Sequence, residues 1–166
     1  MKKWIVALLF LSGTGLNIWS QDLLGFESIS GNDRNDFIAA EPKALEAAKF
    51  LLSTAIDSHK PERDKYLKFM VMWMEGTPDY VFYIDSNIGT YTHSSNSLMA
   101  IYMAGVTKLC LEKVVPAGER EELKLKAIEL FLDYCTDPSN NVKSYKQLEK
   151  LLKAREKGLL REYIEE

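Results

Sequence analysis

The stretch MVMWMEGTPDYVFY, residues 70–83, concentrates large apolar side chains on both sides of a single glycine. It holds three methionines, one tryptophan, two tyrosines and one phenylalanine in fourteen positions. Before Gly76 the apolar residues recur at helical spacing, whereas after Gly76 they alternate as the side chains of a strand do. The stretch therefore predicts a helix that ends at Gly76 and an extended segment that follows it.

The helix before Gly76 is predicted to begin at Pro61, because proline fits the first helical turn, where its missing N–H would be unpaired anyway. Large apolar residues recur every three or four positions along this helix, which is the spacing of a face that packs against other helices. We expect this face to lie in the core. Its members are Tyr66, Phe69, Met70, Trp73 and Met74.

After Gly76, the segments YVFYI and TYT flank DSNIG, a spacing that is compatible with a short β-hairpin. Two strands alone are only marginally stable, so the hairpin is expected to lean on the helices with one of its faces. Strand alternation places Tyr80, Phe82 and Ile84 on one face and Val81 and Tyr83 on the other.

The first candidate contact residue is Tyr83. The hairpin face with Phe82 and Ile84 is the more apolar one and is expected to be covered, which leaves Tyr83 exposed. Tyr80 and His93, which lies near the end of the hairpin, complete the candidate set. Tyrosine is favoured at protein interfaces, and a loop of roughly 17 residues is long enough to suggest a binding role.

Serine, proline and charge patterns predict the other helices. The first helix is expected to carry Pro42 in its first turn. The third is capped by Ser94 or Ser95 and carries no charge over residues 97–107, so we expect it to be the central helix. The fourth opens with the acidic run GEREE, which suits the positive end of the helix dipole.

A fifth helix is predicted from Ser144 to near Gly158, with one more turn after it. The predicted fold class is therefore mainly all-α. We expect a five-helix bundle with a short β-hairpin between helices two and three.

The N-terminus has the pattern of an export signal. Lys2 and Lys3 precede the apolar run 4–11, as in the charged and hydrophobic regions of a secretory signal. The run is too short for a membrane span, which needs about 20 apolar residues. We expect residues 1–20 to be a cleaved signal peptide, residues 21–41 a mobile leader and residues 42–166 a single helical domain.

The net charge of the mature chain indicates which kinds of partner the protein can bind. Two of the 21 basic residues lie in the predicted signal, so the mature chain has 19 basic against 24 acidic residues and a formal charge of −5. This sign disfavours nucleic acid, because lysine and arginine supply most of the affinity for phosphates. We expect a periplasmic or secreted protein, with no membrane span after signal cleavage, whose partner is a protein or a small molecule.

Cys110 and Cys135 would meet oxidising conditions after export, where disulfides form. If helices three and four form an antiparallel pair, the two cysteines are offset by roughly 20 Å at 1.5 Å per residue. A disulfide needs Cα atoms within about 7 Å of each other. The sequence therefore predicts two free, mostly buried thiols and no disulfide.

Methionines lie four residues apart at Met70/Met74 and Met99/Met103, and soft thioethers bind Cu(I). These positions fall on apolar helix faces, where methionine commonly fills gaps in a core, so we interpret them as core. The loop that starts at Asp85 offers oxygen ligands but lacks the glycine and glutamate spacing of an EF-hand. We predict neither a metal nor a cofactor.

Two other functions remain open. His93 with a carboxylate such as Asp79 or Asp85 would make the acid–base site of a small periplasmic enzyme, provided that the groups lie within about 3 Å. An apolar cavity between the helices would instead indicate a small-molecule carrier. The expected lining of such a cavity is Met99, Met103 and Trp73.

The chain also resembles a group of known proteins. The residues WSQ (19–21) and the block WMEGTPDYVFYID (73–85) are similar to those of small exported helical proteins of Bacteroidota, and the likeness covers residues 42–155. That group is itself uncharacterised, so the resemblance implies export and a helical fold but no residue role. The leading prediction is an exported, non-enzymatic binding or interaction module.

Overall fold

The computed structural model describes residues 28–29, 31–116 and 118–165. Within these residues the protein is mostly helical, with seven α-helices and one short 3-10 helix. The predicted signal, residues 1–20, lies outside the described residues. The elements are α1 (Arg34–Ser53), α2 (Lys60–Gly76), α3 (Ser86–Tyr91), α4 (Asn96–Leu111), α5 (Arg120–Thr136), the 3-10 helix (Pro138–Asn140), α6 (Lys146–Glu156) and α7 (Leu160–Glu165).

Helix α1 begins at Arg34, so the prediction that Pro42 stands in its first turn is wrong. The Asp33 carboxylate accepts backbone N–H bonds from two and three residues later, at 2.8 and 3.1 Å. In return, the Asp36 carboxylate accepts the N–H of Asp33 at 3.0 Å. This reciprocal capping box starts the helix well before the proline. Residues 34–41, which we assigned to the leader, are therefore helical.

Helix α2 carries Pro61 in its first turn and ends at Gly76, as predicted. The N–H of Thr77 donates to the carbonyl oxygen of Trp73 at 2.9 Å and closes the last turn. A side chain at Gly76 would collide with α1, because an added Cβ would overlap the ring of Phe37. The end of α2 thus packs directly against the start of α1.

Helix α4 is the central helix, as its uncharged sequence predicts. Ser95 caps it, with its Oγ accepting the N–H of Leu98 at 3.4 Å. Nine of its 16 residues are buried, since α4 packs against α1, α2 and α5. Gly105 faces Ala127 of α5, where an added Cβ would lie 3.5 Å from the alanine carbonyl oxygen.

The core consists of two clusters of buried side chains that α4 joins. One lies between α1, α2 and α4, and the other lies between α3, α4, α5, α6 and α7. The predicted core face of α2 belongs entirely to the first cluster, which confirms that prediction. Met103 packs against the first cluster and Met99 against the second, so the methionines are divided between two regions of core.

The predicted β-hairpin is wrong, since the described part of the chain contains no β-strand. Residues 86–91 form the short helix α3 instead of a loop and a second strand. The Asp85 carboxylate starts this helix by accepting the backbone N–H groups of Asn87 and Ile88, at 2.9 and 3.2 Å. With α3 and α7 both present, the five-helix count is also too low.

The C-terminal half follows its predicted order. Helix α5 is buried on more than one side, because it packs against α4, α6 and α7. Helix α6 ends just before Gly158, as expected. The residues after it form a six-residue helix, α7, which buries Leu160 and Ile164.

Thr107 in α4 is fully buried, and its Oγ1 has no hydrogen-bond partner among the described residues. An unsatisfied buried hydroxyl costs roughly 1–3 kcal/mol. We expect Thr107→Val, which keeps the shape and removes the hydroxyl, to raise the free energy of unfolding by about 1 kcal/mol in urea titrations. Thr92→Val is the matched control, because the Thr92 Oγ1 donates to the carbonyl of Ile88 at 2.8 Å. There the same change should destabilise, and equal effects at both sites would refute the assignment.

Both cysteines are free thiols, Cys135 buried and Cys110 half-buried. Burial raises the pKa of Cys110 to about 11 and that of Cys135 to about 12. In the unfolded chain a thiol ionises near pH 8.5, roughly the reference value. Because the folded values are the raised ones, this contribution to stability is complete below that pH and is lost as the pH rises.

We therefore expect the melting temperature to fall steadily between about pH 9 and pH 11, where only the unfolded state releases these protons. Thermal unfolding followed by circular dichroism across this range measures the effect. A Cys110→Ala/Cys135→Ala variant should show a shallower decline than the wild type. An unchanged slope in that variant would assign the alkaline loss of stability to other groups.

Candidate functional site

The candidate site is the segment of residues 77–85 that links α2 to α3, called here the connector. Its inner face rests on Trp73 of α2. The Tyr80 ring centroid lies 5.4 Å from that of Trp73, and the Phe82 ring centroid lies 5.7 Å from it. Tyr80 and Phe82 also stack on each other at 6.2 Å, as side chains two residues apart on one side of an extended chain do.

The outer face of the connector is apolar and exposed. Val81 is 67% exposed, Tyr83 48% and Ile84 46%. The prediction that Tyr83 is exposed is confirmed, whereas the placement of Ile84 against the helices is wrong. The period-two pattern breaks after Tyr83 because the chain turns into the cap of α3 at Asp85.

Tyr83 is held in place by a cation from another helix. The guanidinium carbon of Arg120, the first residue of α5, lies 3.6 Å from the centroid of the tyrosine ring. This is a cation–π contact, which favours one orientation of the ring over free rotation in solvent. The exposed aromatic is thus preorganised, and a side chain that is already ordered loses less entropy when it binds.

Ion pairs fix both ends of the connector. Arg34 Nε donates to the Asp79 carboxylate at 2.7 Å, and Lys124 Nζ donates to the Asp85 carboxylate at 2.8 Å. Burial alone would raise the pKa of Asp85, but the hydrogen bonds from Lys124 and from the Ile88 backbone outweigh it and hold that pKa below its usual value. Each end of the segment between the two aspartates therefore has an ion pair to another helix.

In the part of the chain that the structure describes, the backbone of the connector is hydrogen-bonded only at its two ends, through the Thr77 N–H and the Asp85 carbonyl. Among the described residues, no hydrogen bond joins a backbone N–H or C=O group of residues 79–84 to another group. The flanking Thr77 and Asp85 both have extended backbone angles. Residues 79–84 thus combine peptide groups that no described residue bonds with the exposed apolar side chains of Val81, Tyr83 and Ile84. Peptide groups in that state can pair with a strand from another chain.

His93, the third candidate residue, does not lie with Tyr83. Its ring stacks on that of Tyr145, with centroids 5.0 Å apart, while the Tyr145 hydroxyl donates to the carbonyl of Tyr91 at 2.7 Å. His93 and Ser94 have φ angles of 54° and 51°. These two left-handed residues follow the end of α3. The Ser94 N–H donates to the carbonyl oxygen of Gly89 in α3 at 2.8 Å.

The carboxylates proposed as partners of His93 are engaged elsewhere. Asp79 forms its ion pair with Arg34 of α1, and Asp85 forms its own with Lys124 of α5. The contact that orients the His93 ring is the one with Tyr145. The three candidate residues Tyr80, Tyr83 and His93 thus lie against three different parts of the fold.

Two open grooves lie on the surface of α1 and α2. One, of about 290 Å³, is formed by both helices and includes Pro42, Leu45 and Lys49. The other, of about 390 Å³, follows the side of α2 and includes Leu67 and Met72. Neither is lined by the three side chains expected around a carrier cavity, and Trp73 itself is fully buried.

The three cations that contact the connector were not predicted from the sequence. Arg34, Arg120 and Lys124 lie far from the connector along the chain, and each meets it only through the packing of its helix. Arg34 falls in residues that we assigned to the leader. Lys124 is the one with a signal in the sequence, because it stands between Leu123 and Leu125 in an apolar part of α5. In the structure its side chain is only 15% exposed.

Comparisons with known proteins give no relative. No protein-family model, no curated protein and no solved structure matches the chain. Across the described residues, no helix has the length and hydropathy to span a bilayer.

Proposed function

We propose that this protein is an exported, non-enzymatic binding module that contacts a protein partner through the outer face of the connector. The observation that carries the proposal is the exposed Tyr83, which is held by Arg120 and flanked by exposed Val81 and Ile84. Tyrosine and arginine are enriched in protein interfaces, and tyrosine in the residues that dominate their energy.

The support beneath the connector favours binding over a structural role alone. Tyr80 and Phe82 pack on the buried Trp73, and the ion pairs of Asp79 and Asp85 hold the ends. A segment that only links two helices needs neither exposed apolar side chains nor this set of supporting contacts. Surfaces of this kind mark protein interaction sites when the apolar residues are contiguous.

Export remains part of the proposal. It is supported by the charged and apolar pattern of residues 1–11, by the net acidity of the rest of the chain and by the resemblance to exported helical proteins of Bacteroidota. The enzyme and carrier alternatives receive no support from the contacts of His93 or from the lining of the grooves.

The proposed function is tested by capture from the organism that makes the protein. The wild type, Tyr83→Ala and Leu159→Ala are immobilised, and the proteins that each retains from extracellular and periplasmic fractions are compared by mass spectrometry. Leu159 is the matched control, because it is 50% exposed and lies outside the connector. We expect Leu159→Ala to retain the same partner as the wild type and Tyr83→Ala to lose it. Equal retention by all three would remove the connector as the contact surface.

A further inference from the structure

We infer that the partner of the connector is a second copy of this chain, bound by antiparallel pairing of the two connectors about a two-fold axis at Phe82. The inference rests on the proposed function, since it names the partner of the same surface. Its first support is the backbone of residues 79–84, which makes no hydrogen bond to another residue in the described part of the chain. An exposed segment whose backbone groups are unpaired is a ready template for a strand from another chain.

The second support is the symmetry of the connector sequence. The segment DYVFYID, residues 79–85, reads with similar chemistry in both directions, with an aspartate at each end and Phe82 at the centre. A two-fold interface must be complementary to itself, and few segments meet that condition. In a register centred on Phe82, Val81 of one copy lies opposite Tyr83 of the other. Pairs of a β-branched residue with an aromatic residue are favourable across strands.

The exposed side chains are the ones that this register pairs. Val81 and Tyr83 share the outer face of the connector, so both cross-strand pairs form on the side that is now in solvent. Tyr80 and Phe82 stay on Trp73 of their own copy. Pairing therefore covers exposed apolar surface without disturbing the core beneath it.

Charge would normally oppose such pairing, because the two-fold axis brings Asp79 of one copy near Asp85 of the other. Like charges directly opposite each other are destabilising. Here each carboxylate already has a cation, Arg34 for Asp79 and Lys124 for Asp85. Each end of the paired segment would hold two carboxylates and two cations, so the symmetric arrangement is electrically balanced.

Sedimentation of the purified protein over a concentration series tests the inference. We expect a reversible dimer in the wild type and a dissociation constant at least about tenfold weaker in Val81→Lys, since an inserted charge prevents strand pairing at an edge. Val114→Lys is the matched control, because Val114 is 48% exposed and lies outside the connector. It should dimerise as the wild type does. The melting temperature of each dilute variant verifies that it is folded.

Disulfide trapping tests the register. In the inferred dimer, positions 81 and 83 of the two copies are opposite each other, with Cα atoms about 5 Å apart. Position 81 is too far from its own symmetry mate for a disulfide, which needs about 7 Å or less. A mixture of Val81→Cys and Tyr83→Cys proteins should therefore crosslink into mixed dimers faster than either protein alone. The native thiols are slow competitors, since Cys135 is buried and Cys110 is half-buried.

Failure of the two-fold pairing and failure of the proposed function would give different results in these experiments. A chain that stays monomeric up to about 1 mM, the weakest range of specific affinity, would overturn the inference. So would a dimer that Val81→Lys leaves unchanged, or self-crosslinking of Val81→Cys that is as fast as that of the mixture. If Tyr83-dependent capture of a different protein persisted in that case, the proposed function would stand without the two-fold pairing.

Discussion

Trp73→Ala is expected to lower the free energy of unfolding by about 3–5 kcal/mol, the usual range for a large buried aromatic. The Trp73 side chain is fully buried, and its Nε1 donates to the carbonyl oxygen of Phe37 at 3.1 Å. It also forms the floor on which Tyr80 and Phe82 rest. Its removal therefore leaves a cavity, costs one hydrogen bond to α1 and leaves the connector unsupported.

Urea denaturation followed by circular dichroism measures this loss, and Tyr83→Ala is the control. Tyr83 is about half exposed, so its truncation should change stability by roughly 0.5 kcal/mol or less. Trp73→Phe should fall between the two, because it keeps an aromatic ring but loses the hydrogen bond to α1. A small effect of Trp73→Ala together with a large effect of Tyr83→Ala would show that core and surface are assigned the wrong way round.

Arg63→Met is expected to cost about 3 kcal/mol, the upper end of the range for hydrogen bonds to a charged group. Arg63 is 7% exposed, and its Nη1 donates to the carbonyl oxygens of Leu51 and Thr54 at 3.2 and 2.9 Å. These carbonyls belong to the end of α1, which carries the negative end of the helix dipole. The guanidinium thus acts as a cap for α1 that is supplied by α2.

Hydrogen bonds at this end of α1 also connect the two core clusters. The Tyr134 hydroxyl of α5 donates to the Thr54 carbonyl at 2.8 Å, and the Asn140 side chain donates to the Tyr134 carbonyl at 2.9 Å. Loss of Arg63 would therefore loosen the contact between α1 and α5 as well as the end of α1.

Arg34→Met is the matched control for Arg63→Met. Its side chain is 65% exposed and its ion pair lies at the surface, so the loss should be 1 kcal/mol or less, roughly the value of exposed pairs. The comparison uses urea denaturation midpoints at one pH and salt concentration. Similar losses in the two variants would mean that the buried network around Arg63 does not stabilise the junction.

The sequence predicted the helices wherever local chemistry decided the outcome. Pro61, Gly76 and Ser95 stand where their backbone and capping preferences place them. The start of α1 could also have been predicted from the sequence, because Asp33 and Asp36 have the spacing of a capping box. We interpreted that polar run as a leader, and so gave Pro42 a role that it does not have.

The hairpin failed because its central residues have a competing local structure. Asp85 followed by Asn87 suits a hairpin loop, but the Asp85 carboxylate can also cap a helix by binding the next backbone N–H groups. Burial of Ile88 against the second core cluster decides in favour of the helix. Such long-range packing cannot be derived from the spacing of these residues alone.

Only the local part of the candidate site could be predicted, because its other contacts depend on long-range packing. Alternation along the connector assigned Tyr80 and Phe82 inward and Tyr83 outward, and packing on Trp73 agrees. The cations that hold the connector come from α1 and α5, and only the tertiary fold brings them to it. His93 was grouped with Tyr83 through the hairpin, and without the hairpin it lies on Tyr145 instead.

Hydrogen–deuterium exchange of the connector amides over a dilution series tests the central claim most directly. We expect fast exchange of residues 79–84 at high dilution, where their backbone is unpaired, and slower exchange as the concentration rises and two connectors pair. Peptides from α4 should remain protected and unchanged throughout. Protection of residues 79–84 at every concentration would contradict the account, because it would mean that this backbone is paired within the fold and is not available to a partner.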